Sequence, residues 1–154
     1  MTNVVTLSRE ELHAVSVKFR ATVETVLNAL PRIPDSLEEF PRGCCGRLSS
    51  MLGQILNDRL AGQALFVSAE LYEDFRETHA WLRCGNIAID VTGDQFAGRP
   101  AVFADEPDSW FEQWEVEESV GGPAPACYEM GRDTDADKVY RTIRSLMERP
   151  DGTP

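Results

Sequence analysis

The chain is short of basic residues and of long apolar runs. Lysine and arginine together number 15, against 26 aspartates and glutamates, so the formal net charge at pH 7 is -11. A general nucleic-acid binder needs a surplus of cations to neutralise phosphates, and an anionic membrane surface attracts basic segments rather than acidic ones. No apolar stretch approaches the ~20 residues of a membrane span. These absences argue against a nucleic-acid partner and against a membrane partner.

The N-terminus also lacks the basic segment and the apolar core of a signal peptide. We therefore expect a cytoplasmic location, where cysteines stay reduced. The four cysteines are Cys44, Cys45, Cys84 and Cys127. The sequence contains no glycine-rich phosphate loop and no acidic cluster with metal-ligand spacing, so we expect no cofactor.

The remaining composition is that of an ordinary globular domain. The chain has 154 residues, of which 42% are hydrophobic and 27% are charged. This length is enough to bury one core without disulfides or metal ions. The sequence predicts a single domain over residues 1–150, followed by a short tail at 151–154.

Two helices are predicted in the first sixty residues. Ser8 and Glu11 form a capping-box pattern, and apolar residues then recur at helical spacing, which predicts a helix over residues 9–30. The proline-containing stretch 31–43 is predicted to be a loop with one helical turn at its centre. An apolar stripe predicts a second, central helix over residues 45–60.

The second half of the chain reads mainly as strands. The predicted strands cover 64–72, 78–84, 87–92, 100–104 and 109–118, and a last helix is predicted over 133–149. Gly85 and Asn86 form a hairpin turn between the second and third strands, and residues 121–125 form a break. Helices, then an antiparallel meander, then a helix predict an α+β fold rather than a doubly wound sheet.

The stretch FPRGCCGRLSSML, residues 40–52, places Cys45 at the start of the second helix. The helix dipole and the first-turn amides stabilise an anion there, so a thiolate is favoured. A thiol nucleophile needs a base and a group that orients the base. His79 in one hairpin strand and Asp90 in the next are the candidates, and a short bulge would bring both onto one face.

These residues resemble a known group of proteins. GCCGRLSSML, HAWL and IAIDVTGDQF are similar to the Cys-His-Asp core of the papain-like superfamily, in its transglutaminase-like branch, over residues 40–96. The resemblance implies a helix packed on an antiparallel sheet, with Cys45 as nucleophile, His79 as base and Asp90 as its orienting partner. It implies acyl transfer on an amide of a protein or peptide substrate, by a peptidase, a glutamine deamidase or a transamidase.

The resemblance also implies substrate contacts beside this triad. Residues after the aspartate shape the pocket in this superfamily, which makes Asp94 and Gln95 candidates. Arg42 is the only strong hydrogen-bond donor close to the nucleophile, Cys44 is its variable neighbour, and Trp81 alternates to the same side of its strand as the base.

Other interpretations of the same residues stay open. Cys44 could be the nucleophile in place of Cys45. A zinc site could use the two neighbouring cysteines with His79 and Cys84, although adjacent cysteines fit zinc spacing poorly. The chain could also be a binding module without activity, whose acidic and aromatic segment at residues 105–118 recognises a basic peptide. The pattern of that segment favours an ordinary solvated strand with one aromatic face over such a docking surface.

Overall fold

The computed structural model describes residues 7–60, 64–72, 76–119 and 134–149. In chain order the elements are α1 (Arg9–Ala29), α2 (Cys45–Leu60), β1 (Ala64–Tyr72), β2 (Arg76–Cys84), β3 (Ile87–Asp90), β4 (Phe103–Asp105), α3 (Ser109–Glu112), β5 (Glu115–Ser119) and α4 (Thr134–Met147). Short 3-10 turns cover Asp35–Leu37 and Gly93–Gln95. The fold is α+β, as the sequence predicts.

Helix α1 begins where the capping box predicts. The Ser8 side chain accepts a hydrogen bond from the Glu11 N–H at 3.1 Å, and the Glu11 carboxylate accepts one from the Ser8 N–H at 3.3 Å. One face of α1 is buried and packs against α4, β3 and β4. The loop that follows contains the single helical turn that was predicted near its centre.

The five strands form one antiparallel sheet in the order β4-β3-β2-β1-β5. Strands β2 and β3 form the predicted hairpin, whose turn contains Gly85 with φ +59°. Helix α2 packs against β1 and β2. Because successive strand residues face opposite sides, Leu82 joins the core beneath the helices, whereas Trp81 joins a second cluster with Phe111 and Trp114.

Two of the predicted strands are wrong in part. Residues 109–118 do not form one strand, because Ser109–Glu112 is a helical turn and only Glu115–Ser119 is extended. Phe111 and Trp114 are both buried at a spacing of three, which is helical rather than alternating. The predicted strand at 100–104 begins only at Phe103.

Several predictions cannot be compared with the fold. The break at 121–125, Cys127 and the tail at 151–154 lie outside the described residues. In the part of the chain that is described, no helix is long and apolar enough to cross a membrane. The single domain and the cytoplasmic location stay predictions.

Candidate active site

Helix α2 directs its first residue, Cys45, toward His79 and Ala80 in the middle of strand β2. One turn along the helix, the Ser49 hydroxyl donates a hydrogen bond to the Ala80 carbonyl at 3.4 Å, which ties α2 to β2. The backbone N–H groups of Ala80 and Gly46 both contact the Cys45 sulfur. The thiol therefore lies among donors that favour its ionised form.

His79 and Asp90 are in direct contact. The His79 Nε2 lies 2.7 Å from the Asp90 Oδ2, and both side chains are almost fully buried. The other carboxylate oxygen of Asp90, Oδ1, accepts a hydrogen bond from the Thr92 N–H at 3.0 Å. A buried histidine–carboxylate pair of this kind fixes the orientation of the imidazole ring.

The predicted bulge between these strands is absent in the paired residues. Leu82 pairs with Ile89, and the two following pairs continue in the same register up to the turn. Extending that register by one position puts Asp90 opposite Trp81, so His79 lies diagonally across from Asp90. Diagonal neighbours on one face are ~7–8 Å apart at the backbone, within reach of long side chains. No bulge is needed.

The two ionisable groups of the site shift each other's titration. Burial raises the pKa of the Cys45 thiol, but the hydrogen bond and charge of His79, with the N–H groups of Ala80 and Gly46, outweigh it and lower the pKa below its ordinary value. Burial lowers the pKa of His79, but Asp90 and Cys45 together raise it to about 9. Both directions favour a thiolate–imidazolium pair near neutral pH.

Four aromatic rings enclose the imidazole. Their centroids lie 4.9 to 5.9 Å from the His79 ring, and they belong to Trp81, Phe96, Trp110 and Trp114. The sequence predicted only Trp81. The separation of three residues between the aromatic side chains of Phe111 and Trp114 was the sequence signal that could have indicated a helical turn folding back over the sheet.

The surroundings of Cys44 differ from those of its neighbour Cys45. Its side chain is fully buried in the helical core, and its one S–H has two acceptors within reach, the Arg42 carbonyl at 3.3 Å and the Ser36 carbonyl at 3.7 Å. Burial raises its pKa to about 11. This environment favours packing over nucleophilic attack or substrate contact. The Arg42 side chain itself is exposed.

The two candidates that follow Asp90 have different surroundings. The Asp94 carboxylate forms a bidentate ion pair with Arg20 of α1, with both N–O distances 2.8 Å. The Arg20 hydrogen bonds lower the pKa of Asp94. The Gln95 side-chain amide instead lies 3.0 Å from the His79 Nδ1. The structure thus brings Gln95 into the site and engages Asp94 with a helix.

Arg20 was missed by the sequence reasoning. It lies on the buried face of α1, one residue after Phe19, and its NH1 also donates to the Val91 carbonyl at 2.9 Å. A charged residue on an apolar helix face requires a partner, and this was the signal that could have indicated it.

A metal centre has no support in the described residues. No group of three or more histidine, cysteine, aspartate or glutamate side chains among them is arranged to hold a metal ion. Cys84, a ligand in the zinc alternative, is buried at the far end of β2, and burial raises its pKa to about 11. His13, the other histidine of the chain, is exposed on α1.

Comparison with known proteins adds no assignment. No family model, no curated protein and no solved structure matches the chain. The function must therefore be argued from the site. The arrangement offers a thiol with a lowered pKa, a base in contact with it and a carboxylate that orients the base, which together are the parts of an activated cysteine nucleophile.

Proposed function

We propose that the chain is a cysteine-dependent enzyme that transfers an acyl group from an amide of a protein or peptide substrate. The observation that carries the proposal is the buried His79, which shares one hydrogen bond with Cys45 and another, 2.7 Å long, with Asp90. A structural histidine needs a partner for its nitrogens, but it has no need of a cysteine at a helix N-terminus as well.

The first half of the reaction forms a thioester. The Cys45 thiolate attacks the carbonyl carbon of the amide, and the carbonyl π electrons move to the oxygen. The backbone N–H of Cys45, at the first position of α2, is one donor for that oxyanion. When the C–N bond breaks, the His79 imidazolium gives its proton to the departing amine, and Asp90 holds the ring in place.

The second half of the reaction releases the acyl group. A water molecule or an amine attacks the thioester carbonyl while neutral His79 accepts its proton. The C–S bond then breaks, and the pair of electrons returns to sulfur as the thiolate. Water yields a peptidase or a glutamine deamidase, and an amine yields a transamidase. No cofactor takes part in these steps, and a reduced thiol suits the cytoplasm.

We assign the fold to the transglutaminase-like, papain-like type as part of the same proposal. What supports it is the order of the elements: a helix that begins at a cysteine, packed on β1 and β2 of an antiparallel sheet, with the histidine and the aspartate on neighbouring strands. Acidic β5 at the edge of that sheet, where Val116 is 52% exposed among glutamates, supports the alternative of a binding module for a basic peptide.

One labelling experiment separates the two candidates. The rate of iodoacetamide alkylation at Cys45 is measured from pH 5 to 9, by site-resolved mass spectrometry, in the wild type, His79→Ala and Asp90→Asn. Because an ordinary cysteine is under ~1% thiolate at pH 6, we expect the wild type to react at least ~10-fold faster than His79→Ala at that pH. Asp90→Asn should fall between them.

The buried thiols of Cys44 and Cys84 serve as internal references, since their raised pKa values predict slow labelling at every pH tested. An ordinary thiol profile at Cys45 that neither substitution changes would remove the triad and leave the binding module as the better account.

A further inference from the structure

The amide of Gln95 contacts the nitrogen of His79 on which the mechanism depends. Its Nε2 lies 3.0 Å from the His79 Nδ1 and 3.2 Å from the Thr92 Oγ1. We propose that Gln95 is a positioning residue, which competes with Cys45 for the His79 Nδ1 and so controls when the imidazole takes the thiol proton. This inference rests on the proposed function and assigns Gln95 a role other than substrate contact.

The competition follows from the number of acceptors on the ring. Asp90 is at hydrogen-bond distance from Nε2, and a carboxylate accepts, so Nε2 carries a hydrogen. Nδ1 is then the acceptor of the neutral ring. The hydrogen bond with Cys45 must use Nδ1 as well, because Nε2 is occupied. A Gln95 N–H and the Cys45 thiol therefore share one lone pair.

The segment that carries Gln95 is held at several points. Residues 93–95 form a 3-10 turn, and the Thr92 N–H that opens it donates to the Asp90 carboxylate. The turn is tied to α1 by the bidentate Arg20–Asp94 ion pair. It also packs closely against the next loop, since a Cβ on Gly93 would lie 2.3 Å from the Pro100 carbonyl oxygen. Gln95 is thus presented from a rigid support.

The Gln95 amide affects the pH at which the His79 ring takes up its second proton. The titratable groups that face the imidazole are Cys45 from α2 and Asp90 from β3, and the Gln95 amide and four aromatic rings are its other close neighbours. A donor at Nδ1 stabilises the neutral ring, because the imidazolium carries its own hydrogen there. Removing the Gln95 donor should therefore make the imidazolium–thiolate pair form at lower pH.

The test uses Gln95→Met, which keeps the length of the side chain and removes its donor. The pH midpoint of iodoacetamide alkylation at Cys45 is compared between this variant and the wild type. We expect the midpoint to fall by roughly half a pH unit to one unit, the size expected for one hydrogen bond. Gln113→Met, at an exposed position beside the same aromatic cluster, is the matched control and should leave the midpoint unchanged.

A second variant keeps the proposal testable if Gln95→Met does not fold. Thr92→Val removes the hydroxyl that orients the Gln95 amide without touching the ring, so the midpoint should move in the same direction by a smaller amount. An unchanged midpoint in both variants, or a rise in either, would overturn the proposal. If His79→Ala left the alkylation of Cys45 unchanged from the wild type, the proposed function itself would be contradicted. The two failures are therefore distinguishable.

Discussion

Gly46, the second residue of α2, has open space where another residue would carry a side chain. It is partly buried, its φ is not positive, and a Cβ built on it would meet no heavy atom of the described residues within 4 Å beyond its two chain neighbours and the backbone of its own helix. Glycine near a helix end costs up to ~1 kcal/mol relative to alanine, and packing gives no reason for it here. The Gly46 N–H contacts the Cys45 sulfur, and the open space lies on the residue next to the nucleophile.

We predict that Gly46→Ala separates stability from reactivity toward large reagents. The free energy of unfolding should rise by ~0.5–1 kcal/mol, measured by urea denaturation, because the unfolded chain loses freedom. Alkylation of Cys45 by iodoacetamide should change less than about twofold, whereas a fluorescein-bearing maleimide should react several-fold more slowly, because the new methyl group narrows its approach. If Gly46→Ala changed the rates of both reagents by the same factor, substrates would not pass over Gly46.

At the scale of elements, Arg99 helps to hold helix α3 over the sheet, in addition to the buried Phe111 and Trp114. The Arg99 guanidinium lies 4.4 Å from the centroid of the Trp110 ring and forms a 2.9 Å ion pair with Asp108, the N-cap residue of α3. Only 14% of the Arg99 side chain is exposed. The cation–π contact and the buried stem of this side chain therefore contribute more than a surface ion pair would.

We predict that Arg99→Ala loosens α3 over the imidazole. The free energy of unfolding should fall by ~1–2 kcal/mol, and acrylamide should quench tryptophan fluorescence more strongly, because two of the three tryptophans, Trp110 and Trp114, belong to this cover. Arg141→Ala on α4 is the control, since its 78% exposed side chain pairs with Asp137 one turn away. Equal quenching in both variants would contradict the assigned role of Arg99.

The elements show where sequence patterns suffice and where they fail. Helix α1, helix α2 and the β2–β3 hairpin are predicted correctly because each has a local signal: a capping box, an apolar stripe, a glycine turn. The alternation read into residues 109–118 was misleading, since Phe111 and Trp114 face one cluster at helical spacing. Local periodicity cannot show that a distant Arg99 folds over that turn.

The candidate site also contains contacts that the sequence predicts and contacts that it does not. The pairing of His79 with Asp90 was predictable from the hairpin that joins their strands, and the approach of Cys45 to this pair was implied by the resemblance to the Cys-His-Asp core. The separate surroundings of Asp94 and Gln95 were not, although the residues are adjacent. Which of them meets Arg20 of α1 and which meets His79 depends on a 3-10 turn whose orientation is set by packing against another element.

At the scale of the whole molecule, stability depends on pH through the buried titrating groups. The pKa of His79 is raised from 6.5 to about 9, so the folded chain keeps a proton that the unfolded chain releases between those values. Its contribution is complete below pH 6.5 and is lost as pH rises toward 9. The lowered pKa of Cys45 acts in the opposite direction, with a contribution that is complete above pH 9 and lost as pH falls.

We predict that Cys45→Ser isolates the histidine contribution, because the opposing thiol no longer titrates. Asp90 still raises the pKa of His79 in this variant. The increase is smaller than in the wild type, because Cys45 no longer contributes to it. The free energy of unfolding, measured by urea denaturation between pH 6.5 and 7.5, should fall with a slope of at most ~1.4 kcal/mol per pH unit. Stopping at pH 7.5 keeps the thiols of Cys44 and Cys84 protonated in both states, because their pKa values are raised to about 11 in the folded chain and the unfolded chain releases these protons mainly above that pH. The double variant Cys45→Ser/His79→Gln should lose this slope, and a slope that persists in it would mean that another group is responsible.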